Sequence, residues 1–267
     1  MCSLVISSIG FLGSHIVEAL KNCVGNSNQV IGVLDIVKPL DNKVIAGVEY
    51  FEGDIVDEAR TIEILKSFWP DIVFHTAPPI HSLPNQLSIP KQEYNAYHHT
   101  KAIAEKLVPG QNVSMINRWI WQMAQAFENG QHNIQIGNNA NPVDYAYAGN
   151  VAYVHVLAGE QLLSNSDKVA GEMFFMTNSQ PMPQWDFHQL VFRELGDNSL
   201  KKIVVLPHWL RMIMATIAEL WSKITGTLVN LMCFTVKFVT SVQWYNIDKA
   251  RRLLNYDSPV SLEEGVK

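Results

Sequence analysis

Between Ser3 and His75 the hydrophobic positions alternate between two spacings. Ser3-Leu4-Val5-Ile6-Ser7 is a short apolar run closed by small polar residues, which predicts a strand buried on both faces. Ile9 to Gly13 predicts a turn, and Leu12, Ile16, Val17 and Leu20 then recur at helical spacing. Gln29 to Asp35 predicts a second strand that ends in a carboxylate. One more round follows. A third strand is expected over Val48–Asp54, and a helix over Asp57–Phe68 with Asp57 as N-cap and Ile62, Leu65 and Phe68 inward. Trp69-Pro70 ends that helix, and Asp71–His75 reads as the fourth strand. Strands alternating with helices predict an α/β fold built on a doubly wound parallel sheet.

The pattern then breaks. The stretch from Thr76 to Tyr97 carries Pro78, Pro79, Pro84 and Pro90, and proline opposes both helix and central strand. A full βαβ unit needs about 30 residues, so one crossover is missing near residues 77–96. A helix resumes near Asn95 and runs to about Leu107. Beyond it we expect a strand over Val113–Arg118 passing straight into Trp119-Ile120-Trp121, a helix over Ala148–Leu163, a strand over Glu172–Thr177 and a helix opened by Pro183. The stretch from Ile203 to Thr240 is oily. Its uncharged run, Ile224 to Val236, is 13 residues, short of the ~18–20 that a spanning helix needs. It reads as a pocket wall or core helix, or as a patch lying on a membrane surface. These elements divide the chain into residues 1–118 and an intertwined, substrate-side C-terminal region, 119–267.

Two constellations carry chemistry. The turn Gly10-Phe11-Leu12-Gly13 lies between a strand and a helix, and Asp35 closes the next strand ~20 residues on, the order of a dinucleotide-binding βαβ unit. Such a turn brings a pyrophosphate onto backbone N–H groups at a helix N-terminus, where the macrodipole favours negative charge. Ser7 and Ser8 stand where glycines are expected, so an ordinary turn with two packing glycines is the alternative. The second constellation is Tyr97 and Lys101, four apart on one helix face. A nearby ammonium favours the phenolate, which can exchange a carbinol proton during alcohol–ketone oxidoreduction. By itself this pair is a weak signal, because eight tyrosines and fourteen lysines in 267 positions give roughly 0.4 matches by chance.

Composition mainly excludes. A net charge of −5 supplies no basic field, so nucleic acid is not an expected partner. Cys2, Cys23 and Cys233 are too few and too scattered for a disulfide framework or a zinc site, and His98 and His99 lack a spaced partner, so no metal is expected. The start, Met1-Cys2-Ser3-Leu4, leaves no room for a signal peptide, and a reducing compartment is expected.

Gly10-Phe11-Leu12-Gly13-Ser14-His15-Ile16-Val17, Gly53-Asp54-Ile55 and Tyr97-x-x-Thr100-Lys101-Ala102-x-Ala104-Glu105 resemble the extended short-chain dehydrogenases, in their 3β-hydroxysteroid dehydrogenase branch. Gln135 to Asn139, Asp144 to Ala152, Gly171 to Asn178, Pro183-x-Trp185-Asp186-Phe187 and Asp248 to Leu253 sharpen the resemblance toward the fungal sterol-4α-carboxylate 3-dehydrogenase type. The resemblance implies a Rossmann-like sheet and NAD(P)-dependent oxidation of a 3β-hydroxyl on a 4α-carboxysterol, with decarboxylation. It implies that Gly10, Phe11, Leu12 and Gly13 hold the pyrophosphate and Asp35 the adenosine ribose, that Asp54 and Ile55 flank adenine, and that Ala77 lines the cofactor cleft. Tyr97 would be the acid/base, and Lys101 would bind the nicotinamide ribose. NAD is the expected cofactor because Asp35 repels a 2′-phosphate, although Lys38 nearby keeps NADP open.

Two departures fall on the active site. The family's catalytic serine has no counterpart, since the helix and strand that carry it are what the proline-rich stretch replaces; Ser82 and Ser88 do not sit in its motif. The glycine- and proline-rich segment expected after Arg118 is also absent. Alternatives therefore include an oxidoreductase of a fungal terpenoid or secondary-metabolite pathway, and a catalytically impaired relative that binds. The expected partners are a sterol or terpenoid substrate, other sterol-pathway enzymes and a membrane surface contacted through 203–240. The expected location is the cytosolic face of the endoplasmic reticulum, or the cytoplasm.

Overall fold

A computed structural model of the chain describes residues 1–8, 10–22, 29–39, 44–76, 115–198, 202–225 and 233–267. The expected crossover region, the helix from Asn95 to Leu107, and with them Ala77, Tyr97, His98, His99 and Lys101, lie outside the described residues.

Strand β1 (Cys2–Ile6) is deeply buried, with Leu4 and Val5 wholly inaccessible. It lies inside a four-stranded sheet of order β3-β2-β1-β4, where β2 is Val30–Asp35, β3 Val48–Glu52 and β4 Ile72–His75. Every pair is parallel. Ile6 aligns with Leu34 on one side and His75 on the other, and Asp35 aligns with Glu52. Parallel strands covered on both faces need continuous apolar runs, which is what β1 and β2 supply.

Helix α1 (Phe11–Asn22) lays Ile16, Val17 and Leu20 on one face of the sheet, against Val5, Ile31, Val33 and Phe74. Each buried aliphatic side chain contributes about 1.5–3 kcal/mol, so this contact fixes the axis of α1 and with it the position of its N-terminus. Helix α2 (Glu58–Phe68) covers the other face, where Ile64 joins Leu4, Ile6 and Leu34. Asp57 is its N-cap, accepting the Arg60 N–H at 3.1 Å, and Trp69 ends it in the left-handed conformation (φ 50°). Ile62, expected inward, is 40% exposed, while Ile64 is buried. Ile64 and Phe68 are four apart and share the sheet-facing side; Ile62 lies across the helix from them. The third strand also stops at Glu52 rather than Asp54.

The described chain divides into two compact units. The first is Met1–Arg118 with Val151–Glu172. Most of helix α4 (Ala148–Ser164) therefore belongs to it, and packs Ala152 and Val156 on the α1 side of the sheet. Gly159 permits that approach, because a Cβ there would meet Ile72 and Phe74 side chains at 2.6 and 3.0 Å.

The second unit is Trp119–Asn150 with Met173–Lys267. Its elements are most of helix α3 (Met115–Glu128), strands β5 (Ile134–Ile136) and β6 (Pro142–Val143), strand β7 (Met182–Pro183) and helix α5 (Gln184–Glu194), then β8 (Val204–Leu206). Helices α6 (His208–Thr225), α7 (Cys233–Val239), α8 (Asp248–Leu254) and α9 (Leu262–Val266) complete it. β5 pairs parallel with β8, and β6 antiparallel with β7. One core holds Met123, Phe187, Leu190, Val191, Phe192 and Leu262.

Two expected strands are absent. Residues 115–118 open helix α3 instead of ending a strand: Ile116, Ile120, Met123 and Phe127 follow helical spacing, and Met123 is buried. Glu172–Thr177 forms no ladder. Two of its carbonyls are taken by side chains instead. The Met173 carbonyl accepts from Lys249 Nζ at 3.0 Å, and the Thr177 carbonyl from the Tyr256 hydroxyl at 3.1 Å.

Candidate functional site

Within the first unit, all four strands end on the same edge of the sheet, and that edge gathers the residues expected to bind a dinucleotide. Ser7 follows β1 and Asp35 closes β2. Asp54 and Ile55 follow β3, and Thr76 follows β4. Open parallel sheets bind ligands at this carboxyl edge.

Ser7 sets the turn. Its φ is 65°, a left-handed conformation that glycine adopts freely and serine does not. The Ser7 N–H donates to the Leu34 carbonyl at 2.9 Å, and Ser8 is buried. Gly13, in the first turn of α1, packs directly on this segment. A Cβ there would fall 2.5 Å from the Ser7 carbonyl oxygen and 2.5 Å from Ser8 Cα. A Cβ on Gly10 would meet the same oxygen at 3.1 Å. The first turn of α1 carries no acidic side chain, so nothing there opposes an anion at the positive end of the helix. Phe11 packs edge-to-face on His15 at 4.8 Å, and Leu12 packs onto the core.

Asp35 is half-buried. Its Oδ1 accepts the Ile36 N–H at 2.8 Å, and its carbonyl accepts the Gly53 N–H at 2.9 Å, joining the ends of β2 and β3. Asp54 is exposed, with Oδ1 accepting the Val56 N–H at 3.0 Å, while Ile55 packs against the α2-side core. The structure thus brings Gly10, Phe11, Leu12, Gly13, Asp35, Asp54 and Ile55 to one sheet edge. Among the described residues no group of three or more His, Cys, Asp or Glu is placed to hold a metal.

Sequence reasoning missed Thr76, whose hydroxyl lies 2.7 Å from the Ile6 carbonyl and 3.1 Å from that of Ser7. A threonine after a strand carries no signal of such a contact.

The second unit explains several motifs by structure rather than chemistry. The Thr177 hydroxyl donates to Asp144 Oδ2 at 2.8 Å, and the Asn150 amide donates to Asn178 Oδ1 at 3.0 Å. Asn150 and Asn178 both donate to the Val260 carbonyl, at 2.7 and 3.0 Å. Buried polar groups of this kind are tolerated only when satisfied, and here they tie three distant segments together. Gln184, wholly buried, donates to the Tyr145 hydroxyl at 2.8 Å and lies 3.3 Å from His188 Nε2. Burial pushes the His188 imidazole down to about 4, so it is neutral at physiological pH.

Comparison with known proteins agrees with this arrangement. Residues 4–108 match the model of the NAD dependent epimerase/dehydratase family, and residues 116–208 that of the 3-beta hydroxysteroid dehydrogenase/isomerase family. The chain is 26% identical to the sterol-4-alpha-carboxylate 3-dehydrogenase (decarboxylating) of Schizosaccharomyces pombe over 330 aligned positions, covering 100% of this chain and 96% of that protein. Since this chain has 267 residues, at least 63 aligned positions have no counterpart in it, and they fall inside the match. The enzyme of the same name from Saccharomyces cerevisiae is 33% identical over 206 residues, 70% of this chain and 59% of that protein. Among solved structures, the dTDP-glucose 4,6-dehydratase of Bacillus anthracis superposes with a TM-score of 0.58 at 12% identity, covering 100% of this chain and 94% of that one, a likeness of fold. A Rossmann-like sheet, a turn closed on Gly13, and two family models that match successive stretches point the same way: the chain carries a stretch similar to the NAD dependent epimerase/dehydratase family followed by one similar to the 3-beta hydroxysteroid dehydrogenase/isomerase family.

Proposed function

We propose that the chain is an NAD-dependent sterol 3-dehydrogenase of the decarboxylating type, with residues 1–118 serving the cofactor and 119–267 the substrate. The observation that carries this is the left-handed Ser7 turn packed on Gly13 at the sheet edge, in a chain whose relatives bear that activity in their names. The site fits a dinucleotide: Gly10 and Gly13 let the first turn of α1 close onto the Ser7–Ser8 segment, where a Cβ would collide with backbone, and that first turn carries no acidic side chain to oppose a pyrophosphate. Gly10 to Gly13 would hold the pyrophosphate, Asp35 the adenosine ribose, Asp54 and Ile55 the adenine, and Ala77 would line the cleft. Bound NAD supplies the hydride acceptor. Tyr97 takes the carbinol proton as the C3–H bond breaks, and the Lys101 ammonium favours the phenolate that receives it. The product is a β-keto acid. Its C4–carboxylate bond breaks with release of carbon dioxide, and the electron pair passes to the new ketone before protonation.

The test is incubation of the chain with NAD and a 4α-carboxysterol. We expect NAD to bind more tightly than NADP, and slow NADH and carbon dioxide release in equal amounts. Tighter NADP binding overturns the role of Asp35. The at least 63 absent positions favour a second reading, a binding protein that keeps the fold; NAD binding with no NADH formed from any 3β-hydroxysterol selects it.

The same proposal includes peripheral contact with the endoplasmic reticulum from its cytosolic side, through 203–240. No helix among the described residues is long and apolar enough to cross a membrane. Helix α6 turns Met212 and Ala215 to the core of Val236 and Val239, yet leaves Trp209, Ile213, Ile217, Leu220 and Ile224 between 51% and 79% exposed along its opposite side. An amphipathic face of this kind suits the interface of a bilayer that dissolves sterols. Flotation with phospholipid vesicles should carry the chain upward, and Trp209→Ser with Ile217→Ser should reduce the floated fraction several-fold. Unchanged flotation would remove α6 from the contact.

A further inference from the structure

Serine at position 7 is a conflict between sequence and conformation. An L-residue held at a φ of 65° disfavours its own turn by roughly 5- to 30-fold against glycine. The turn nevertheless forms, with Gly13 seated on the Ser7 carbonyl oxygen. That oxygen has a second neighbour. The Thr76 hydroxyl shares its proton between Ile6 O at 2.7 Å and Ser7 O at 3.1 Å, while the Thr76 backbone N–H donates to Ile6 O at 3.2 Å. On its other side, the Ser7 N–H is held by Leu34 O at 2.9 Å. Both peptide groups of Ser7 are therefore fixed, one from β2 and one from the end of β4.

We propose that Thr76 is a positioning residue for the phosphate-binding turn: its hydroxyl latches the Ser7 carbonyl and holds Ser7 in the conformation that a glycine would adopt unaided. The ligand side of this inference rests on the dinucleotide reading above; the latch itself does not. The Ile6 carbonyl keeps the Thr76 N–H when the hydroxyl is removed, so the effect of removal falls on Ser7. Two substitutions should then be coupled. Without the hydroxyl, Ser7 relaxes from the left-handed region and the carbonyl shifts against Gly13. With glycine at position 7, the hydroxyl is no longer needed.

The experiment compares the full chain with Thr76→Ser, Thr76→Val, Ser7→Gly and the Ser7→Gly/Thr76→Val double variant, by NAD dissociation constant and urea midpoint. Thr76→Val should weaken NAD binding about tenfold, the equivalent of ~1.4 kcal/mol, and lower the midpoint, while Thr76→Ser, which keeps the hydroxyl, should retain the parental values. Ser7→Gly should restore most of both losses in the Thr76→Val background. A general packing defect at Thr76 would not be repaired at position 7, so a Thr76→Val loss that Ser7→Gly leaves intact overturns the proposal, as does parental behaviour of Thr76→Val. Should the parent chain fail to bind NAD, the dinucleotide reading falls by itself. The latch is then decided by the urea midpoints alone, where additive effects of the two substitutions overturn it.

Discussion

Restoring the positions this chain lacks is expected to raise 3β-hydroxysterol oxidation by a factor on the order of 10²–10³, the usual effect of one preorganised hydrogen-bond donor at a reacting oxygen. In the proposed mechanism Tyr97 and Lys101 would supply the proton-transfer pair, and the serine that the family resemblance pairs with them has no counterpart in the sequence. A lone phenol leaves the substrate oxygen with one hydrogen bond fewer. Positioning is expected to add to the loss, because the sequence lacks the crossover unit that the resemblance places before Tyr97, and ~1 Å of misplacement alone can cost about 10²-fold. The comparison needs four proteins: the native chain, a graft carrying the absent segments from a full-length relative, and Tyr97→Phe in each. NADH formation should be weak in the first, strong in the second, and nearly abolished in both variants. Parental NAD affinity in the graft shows that it has folded. Robust turnover by the native chain that survives Tyr97→Phe would overturn both the catalytic assignment and the account of what was lost.

Gly13→Ala is the second substitution with a large expected effect. The added methyl would meet Ser7 O and Ser8 Cα at 2.5 Å, and both are backbone atoms that no rotamer change can move. Either the turn opens or α1 retreats from the sheet. Retreat is resisted by Ile16, Val17 and Leu20, each at most 2% exposed in the α1-side core. Overpacking of this kind typically costs 1–3 kcal/mol of stability, and displacement of the helix N-terminus removes the N–H groups from the pyrophosphate. We expect the urea midpoint to fall and NAD affinity to drop on the order of 100-fold, about 2.7 kcal/mol. Gly10→Ala, whose methyl would lie 3.1 Å from the same oxygen, should do less on both counts. Equal affinities for the two alanine variants and the parent would show that the cofactor does not rest on this turn.

The first unit was legible in the sequence because its signals are local. β1 and β2 are continuous apolar runs, α1 repeats at helical spacing, and Asp57 and Trp69 mark the ends of α2. Each of these signals is decided within a few residues, so neighbours in sequence suffice to recognise it. The parallel sheet, with β1 inside it and the glycine turn at its edge, follows from that order. The two expected strands of the later chain failed for the opposite reason. An apolar stretch such as Met173-Phe174-Phe175-Met176 is a strand only if another strand offers its backbone, and here Lys249 and Tyr256, far along the chain, take the carbonyls of Met173 and of Thr177 at its two ends.

The same division runs through the candidate site. Sequence by itself determined the fold class, the glycine turn, the acid that closes β2 and the family resemblance, since these rest on spacing and residue type alone. Only the tertiary structure decided how a serine can stand at the glycine position. It decided too that Asn150 and Asn178 in the most recognisable motifs bind the Val260 carbonyl, and that His188 is neutral. Each of these depends on which distant groups meet: Thr76 at the end of β4 with Ser7 after β1, Asn150 with Val260, and a histidine with the core that desolvates it. A linear pattern records which side chains are present. The energy of a buried hydrogen bond, a latched carbonyl or a desolvated imidazole is set by partners that only folding brings within about 3 Å.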